Sequence, residues 1–167
     1  QSQGEKIFDL ASRLDPICRS LTGDGVRETL AIIGEHVPVK TYEIPSGAQI
    51  YDWQAPKEWI IREAYIADSA GNRIVDFANH NLHVVNFSVP IRAKFSLDGL
   101  KEHIHSLPDQ PDLIPYRTCY HAEAWGFCMT HHALMSMKED TYDVVIDAER
   151  RDGLLTFGEF VHHGETD

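Results

Sequence analysis

Short connections between strand-like segments restrict the fold of this chain more than any other feature. Residues 59–77 have the pattern of a strand, a turn at 68–72 (Asp-Ser-Ala-Gly-Asn) and a second strand. Residues 142–161 repeat this pattern around a turn at 150–153 (Arg-Arg-Asp-Gly), which predicts a second hairpin. Strands joined by tight turns run antiparallel, so the sequence predicts a mostly antiparallel sheet.

Helices are predicted mainly near the N-terminus. Apolar residues at three- and four-residue steps indicate one helix to about Asp15, a helical turn after Pro16 and a second helix that ends near Gly34. Ser96 is expected to cap a short helix with Leu97, Leu100 and Ile104 on one face. Further strands are predicted at 39–44 and 82–88, the latter ended by Pro90. Six or seven strands and three helices indicate an α+β fold.

Composition excludes several classes of partner. The 167 residues carry 26 acidic and 15 basic side chains, a net charge of −11 that opposes binding to nucleic acid or anionic lipid. No apolar run approaches the roughly 20 residues of a membrane span. Three cysteines without CxxC spacing favour a reducing, cytoplasmic compartment. Because the chain lacks an initial Met and ends in a turn-like tetrapeptide, both ends are expected to be cut.

Residues 114–129 are the densest concentration of chemically active side chains. Cys119, His121, Cys128 and His131 offer a hypothetical Cys2His2 zinc site, but their spacing matches no standard zinc module. A thiolate nucleophile activated by His121 would need a third, orienting group. The favoured interpretation of both cysteines is that of buried small apolar residues, and no catalytic residue or metal ligand is assigned.

The other histidines also predict no metal centre. Adjacent histidines on a strand point to opposite faces, which applies to the predicted strand positions of His131-His132 and His162-His163. His103 and His105 diverge on the predicted helix. The aromatic residues suggest a groove for a peptide or sugar, although packing beneath loops is favoured. These aromatic residues are Tyr51, Trp53, Trp59, Tyr116, Tyr120 and Trp125.

Six ordered sequence blocks resemble one protein family. They are residues 53–59 (WQAPKEW), 64–66 (AYI), 74–77 (IVDF), 81–90 (NLHVVNFSVP), 111–116 (PDLIPY) and 125–128 (WGFC). These blocks are similar to those of the DUF4910/DUF2172 aminopeptidase-like proteins, relatives of the M28 zinc aminopeptidases. The resemblance extends over nearly the whole chain.

The resemblance implies a division into three parts. Residues 1–48 would belong to an M28-like α/β catalytic domain, residues 49–148 to an inserted β-rich domain, and residues 149–167 to a strand returning to the catalytic domain. The family's zinc ligands follow beyond this point. Zinc and a peptide or small amide substrate are therefore expected in a longer parent protein, whereas this chain alone is expected to bind no zinc and to be inactive.

The insertion is predicted to shape access to the active site of the parent. The residues assigned to this role, as substrate-binding candidates, are Tyr116, Arg117, Tyr120, His121 and Trp125. Two alternatives stay open: a non-catalytic module that binds a peptide or glycan, and a structural insertion that mediates dimer contacts within a homo-oligomer.

Overall fold

The computed structural model describes residues 2–120, 122–138 and 140–164. Over these residues the fold is α+β with mostly antiparallel strands, as predicted. The helices are α1 Gln3–Leu14, α2 Asp24–Gly34, α3 Leu97–Lys101 and α4 His131–Ser136. The strands are β1 Lys40–Pro45, β2 Gln49–Ile50, β3 Trp53–Gln54, β4 Glu58–Ala67, β5 Arg73–Asp76, β6 Ile91–Ser96, β7 Ile104–His105, β8 Phe127–Cys128, β9 Thr141–Arg151 and β10 Leu154–Glu159.

The chain divides into two compact units. The first unit comprises Gln1–Trp59 and Arg150–Asp167, and the second comprises Ile60–Glu149. In sequence, therefore, the second unit interrupts the first. The division predicted from the family resemblance, at residues 48 and 148, refers to a longer protein and stays a prediction.

Local signals account for the helices of the first unit. The Ser2 hydroxyl accepts a hydrogen bond from the Glu5 amide at 3.3 Å, and the Glu5 carboxylate accepts one from the Ser2 amide at 2.7 Å. This reciprocal capping box starts α1. The helix ends at Leu14, just before Pro16, whose ring cannot continue an α-helix. Helix α2 ends at Gly34, as its apolar spacing predicts.

Strand β10 pairs with β1 rather than with β9, so the predicted hairpin over 142–161 is wrong. The antiparallel register joins Lys40 to Glu159 at one end and Pro45 to Leu154 at the other. Residues between β9 and β10 bond to Ser46, because the Ser46 amide donates to the Gly153 carbonyl at 2.9 Å and the Gly153 amide donates to the Ser46 hydroxyl at 3.0 Å. These bonds direct β10 toward β1.

The second unit is built on a four-stranded sheet in the order β5-β4-β9-β6. The predicted hairpin over 59–77 is present as β4 and β5, which pair antiparallel. Alternate residues of β9 are buried on one face of the sheet, and α3 contacts the neighbouring strand β6. The largest buried side chains of this unit are Ile66, Val75, Leu100, Phe127, Met129, Tyr142, Val144 and Ile146.

Three local predictions in the second unit are wrong. Residues 82–88 are not a strand, because they contain a 3₁₀ turn at Asn81–His83 followed by irregular buried backbone. The strand lies after Pro90 instead, as β6. Helix α3 is capped by Ser96 as predicted but ends at Lys101, so Ile104 belongs to β7. Helix α4 was not predicted, although its Thr130 cap is a recognisable signal.

Candidate functional site

The site is organised by a bridging segment, residues 84–89, that lies between two other stretches of irregular backbone. On one side, the Asn86 amide donates to the Arg117 carbonyl at 2.9 Å, and the Cys119 amide donates to the Asn86 carbonyl at 2.9 Å. The bonds on the other side are Val85 amide to Gly126 carbonyl and Val89 amide to Ala124 carbonyl, each 2.9 Å. Residues 114–129 are therefore held in place by backbone bonds to the bridging segment.

Two residues of the bridging segment are energetically costly. Phe87 is buried with a φ of +70°, in the left-handed region that side chains with a Cβ rarely adopt. Asn86 is 6% exposed, and its Oδ1 atom lacks a hydrogen-bond partner among the described residues. Backbone strain and unsatisfied buried polar atoms concentrate at functional sites. Sequence reasoning missed both features, because neither conformation nor hydrogen-bond satisfaction has a signal in this apolar run.

Tyr116, Arg117 and Tyr120 lie together beside this segment. The Tyr116 and Tyr120 hydroxyls are 3.2 Å apart, and the Tyr120 ring contacts Phe87 edge-on with a centroid separation of 5.0 Å. Tyr116 is 58% exposed, and Arg117 is also exposed. Arg117 has no salt bridge within residues 2–120, 122–138 and 140–164. The Tyr116 ring and the Arg117 guanidinium are therefore exposed to solvent, and the Tyr120 hydroxyl contacts the Tyr116 hydroxyl.

Trp125 is placed in a different set of contacts. Its ring stacks on His103 with centroids 3.7 Å apart and an interplanar angle of 15°, and Phe95 lies 5.2 Å away. The His103 ring nitrogen Nδ1 also donates to the Trp125 carbonyl at 3.3 Å. Because one ring face is covered by His103, Trp125 has mainly the contacts of a packing residue. The fifth predicted residue, His121, lies outside the described residues.

The two cysteines of this region differ in their surroundings. Cys128 is fully buried, and burial raises the pKa of its thiol to about 11, so the reactive thiolate is scarce at neutral pH. The Cys119 sulfur lies 3.3 Å from the Asn86 carbonyl oxygen and 3.4 Å from the Ala124 carbonyl oxygen, so the two carbonyls share its single S–H donor. Cys128 is thus the buried apolar residue that the sequence favours, whereas Cys119 is only half-buried and contacts backbone carbonyls.

The histidine placements correct the sequence analysis. His131 and His132 lie in the first turn of α4 rather than on a strand, and they bond separately, to Ser106 and Asp112, each at 3.0 Å. His103 and His105 follow α3 instead of lying within it. Burial lowers the pKa of His105, with the charge of Arg117 as the second cause, so neutral imidazole is favoured there.

Two further kinds of feature, a metal-binding cluster and a membrane-spanning helix, are absent from the described ranges. No group of three or more His, Cys, Asp or Glu side chains is placed to hold a metal ion. None of the described helices has the length and apolarity needed to cross a membrane.

Comparison with known proteins identifies the family. The model of a domain of unknown function, DUF2172, matches residues 58–149. This chain belongs to the DUF2172 family. The matched residues nearly coincide with the second compact unit, so the DUF2172 region includes the four-stranded sheet, the bridging segment and the Tyr116 to Trp125 stretch.

A curated protein and a solved structure, both from Clostridium acetobutylicum, are similar to this chain. One is described as a "putative polysaccharide biosynthesis protein with aminopeptidase-like domain" and is 45% identical over 97% of this chain. The other, a crystal structure of a "putative peptidase", is 45% identical and superposes with a TM-score of 0.89 over 94% of this chain. The DUF2172 chain spans only 37% of the length of each relative. The resemblance to aminopeptidase-like proteins is thereby confirmed.

Proposed function

We propose that this chain is the N-terminal part of a zinc-dependent, M28-like aminopeptidase in which the DUF2172 region shapes substrate access. The observation that carries the proposal is the 45% identity over 97% of this chain to a much longer protein described as having an aminopeptidase-like domain. The proposed substrate of the longer parent is a peptide or small amide, and the proposed compartment is the cytoplasm.

The chain topology supports the role of the DUF2172 region as an insertion. Strands β1 and β10 belong to the first unit and pair with each other, although the whole second unit lies between them in sequence. A domain inserted between paired strands adds a separate surface without interrupting their sheet. Surface residues of such an insertion are well suited to restricting the size of the substrate that enters.

The proposal assigns the metal to residues of the longer parent protein beyond residue 167. The described side chains contain no group of three potential ligands, and Cys128 is held as a protonated thiol by burial. When bound, zinc would polarise the scissile carbonyl and activate water. The residues of this chain would contribute positioning: Tyr116 and Arg117 contact the substrate, and Tyr120 orients the Tyr116 ring.

The test requires the longer parent protein, assayed for release of N-terminal residues from short and long peptides. We expect turnover that is lost on chelation and restored by zinc. Tyr116→Ala should change KM for long peptides but have a smaller effect on kcat for dipeptides. Leu113→Ala, at a similarly exposed position in the same stretch, should change neither constant. A parent that hydrolyses no peptide or aminoacyl amide with zinc would refute the enzymatic proposal.

A second candidate function is non-catalytic binding of a peptide or glycan. The exposed Tyr116 ring beside Arg117, which has no salt bridge to a described residue, favours it, because phenol rings stack on sugar faces and guanidinium groups bind carboxylates and carbonyls. We expect saturable binding of an oligosaccharide or peptide to the 167-residue chain by calorimetry, weakened by Tyr116→Ala. If Leu113→Ala weakens binding equally, the tyrosine is not the contact.

A further inference from the structure

A cleft of about 540 Å³ lies on the four-stranded sheet of the second unit, and none of its lining residues belongs to the 114–129 stretch. Its lining includes Tyr65, Arg73, Arg92, Lys94, Asp143 and Val145. Alternate β9 residues Tyr142, Val144 and Ile146 fill the core, so Asp143 and Val145 project from the opposite face. The cleft is therefore built on the sheet face that does not pack against the core.

Arg73 forms a fixed wall of the cleft. Its guanidinium lies 3.8 Å from the centre of the Tyr65 ring and donates to Asp76 at 2.9 Å and to Glu63 at 2.6 Å. These hydrogen bonds and the nearby carboxylates raise the pKa of Arg73, so it stays charged while its charge is compensated. Tyr65 and Arg73 thus present a rigid stacked surface, but Arg73 has little capacity for another anion.

Arg92 and Lys94 are the cations with capacity for a ligand. They are two residues apart on β6, so both side chains point to the same face of the sheet. Lys94 pairs with Asp143 at 3.3 Å, but both side chains are largely exposed, and such pairs contribute little. Arg92 lies in register with Val145 and makes no salt bridge to any described residue.

This arrangement differs from the rest of the acidic chain. Three of the 15 basic side chains line one cleft, although acidic residues outnumber basic ones by 26 to 15 overall. The cleft volume falls within the range of small-ligand sites, about 300–1,000 Å³. We propose that this cleft binds a compact anion, a carboxylate or phosphate group carried on a ring-sized body, with Arg92 as the main anchor and Lys94 as the second.

Each lining residue has a defined part in this recognition. The Arg92 guanidinium presents a planar fork of donors that matches carboxylate or phosphate oxygens. The Lys94 ammonium adds a second positive charge, which leaves its ion pair with Asp143 and pairs with the ligand instead. The Tyr65 ring contacts the body of the ligand, and the buried Val145 side chain lies beneath the floor of the cleft. The site is independent of the aminopeptidase proposal, so either can fail without the other.

An NMR titration of the ¹⁵N-labelled 167-residue chain tests the site with three probes at constant ionic strength: glucuronate, glucose and inorganic phosphate. We expect saturable shifts of β6 and β9 amides with glucuronate, phosphate or both, and none with glucose. If only one of the two anions causes shifts, the result identifies whether the site binds the carboxylate or the phosphate.

Variants separate a specific site from general attraction of anions. Arg92→Gln should weaken binding about tenfold, and Arg92→Lys should recover only part of it because the fork is lost. Lys101→Gln is the matched control, since Lys101 is exposed and paired with Asp98 on α3 outside the cleft. Shifts that do not saturate, an equal response to glucose, or equal losses in Arg92→Gln and Lys101→Gln would overturn the proposal. Unchanged amide shifts far from β6 confirm that each variant is folded.

Discussion

Glu58 provides the sharpest test of how the first unit is held together. It is 3% exposed, accepts a hydrogen bond from Arg27 at 2.7 Å and another from the Leu154 amide at 3.1 Å, and lies 3.7 Å from Arg151. One carboxylate therefore joins α2 to the start of β10. We expect Glu58→Gln to loosen this part of the unit selectively.

The magnitude follows from what each partner loses. Breaking a buried ion pair typically costs about 3–5 kcal/mol, and one charge-assisted hydrogen bond contributes about 1.5–3 kcal/mol. Arg27 is 30% exposed and keeps Asp24 at 2.7 Å, so water and a second carboxylate compensate its charge. Glutamine also retains an acceptor for the Leu154 amide. We therefore expect Glu58→Gln to lower the free energy of unfolding of this unit by about 2 kcal/mol.

Hydrogen exchange measured by mass spectrometry reports this loss locally. Faster exchange is expected in peptides covering β1 and β10, with far smaller changes in β6. The control is Glu35→Gln, because Glu35 forms a bidentate pair with Arg13 on an exposed surface, where such pairs contribute little. Equal effects of the two substitutions, or no change in β10, would show that burial of Glu58 does not determine its contribution.

The same pair predicts a dependence on pH. The hydrogen bond from Arg27 holds the pKa of Glu58 below its usual value, although burial opposes this shift. A carboxyl group whose pKa is lowered in the folded state contributes its full stabilisation of the fold at pH values above its unfolded-state pKa of about 4.3. This contribution is lost as the pH falls through the pKa of the folded state. The stability difference between wild type and Glu58→Gln should therefore shrink below about pH 4.

Two further predictions concern Cys18 and residues of the 114–129 stretch. Burial raises the pKa values of the Cys18 and Cys128 thiols to about 11. A thiol reagent at pH 8 should therefore modify them slowly in the native chain and rapidly in denaturant. Rapid labelling of Cys128 in the native chain would contradict its burial. Trp125→Ala should lower stability by about 2–3 kcal/mol in a thermal melt, because it removes a ring that contacts both His103 and Phe95. A variant of wild-type stability that loses ligand binding would instead place Trp125 in the binding groove.

Elements with strong local signals were predictable from the sequence. Apolar spacing and Pro16 determine the extent of α1, and the 68–72 turn sets the β4–β5 pair. Strand pairing over long distances has no such signal, so the turn at 150–153 predicted a hairpin where β10 actually pairs with β1. The apolar run 82–88 has strand composition, but its amides bond to separate loops and it forms no regular strand.

The candidate site was predictable only as a region. Aromatic density indicated residues 114–129, and the structure brings Tyr116 and Tyr120 within 3.2 Å through their hydroxyls. Their supporting residue, Phe87, comes from a distant segment and has a left-handed backbone. The stack of Trp125 on His103 depends likewise on chain folding between the two residues. Sequence composition identifies such rings but not their partners.

The pairing of β1 with β10 implies an order of folding. Ser46 and Gly153 are bonded but lie 107 positions apart, so β1 and β10 must close a long loop before their contacts form. If β4 and β9 pair first, the effective loop falls to roughly 15 residues, which reduces the entropic cost of closure by about 2 kcal/mol. The second unit is thus expected to fold first and to act as a nucleus, after which the two strands of the first unit, β1 and β10, can pair.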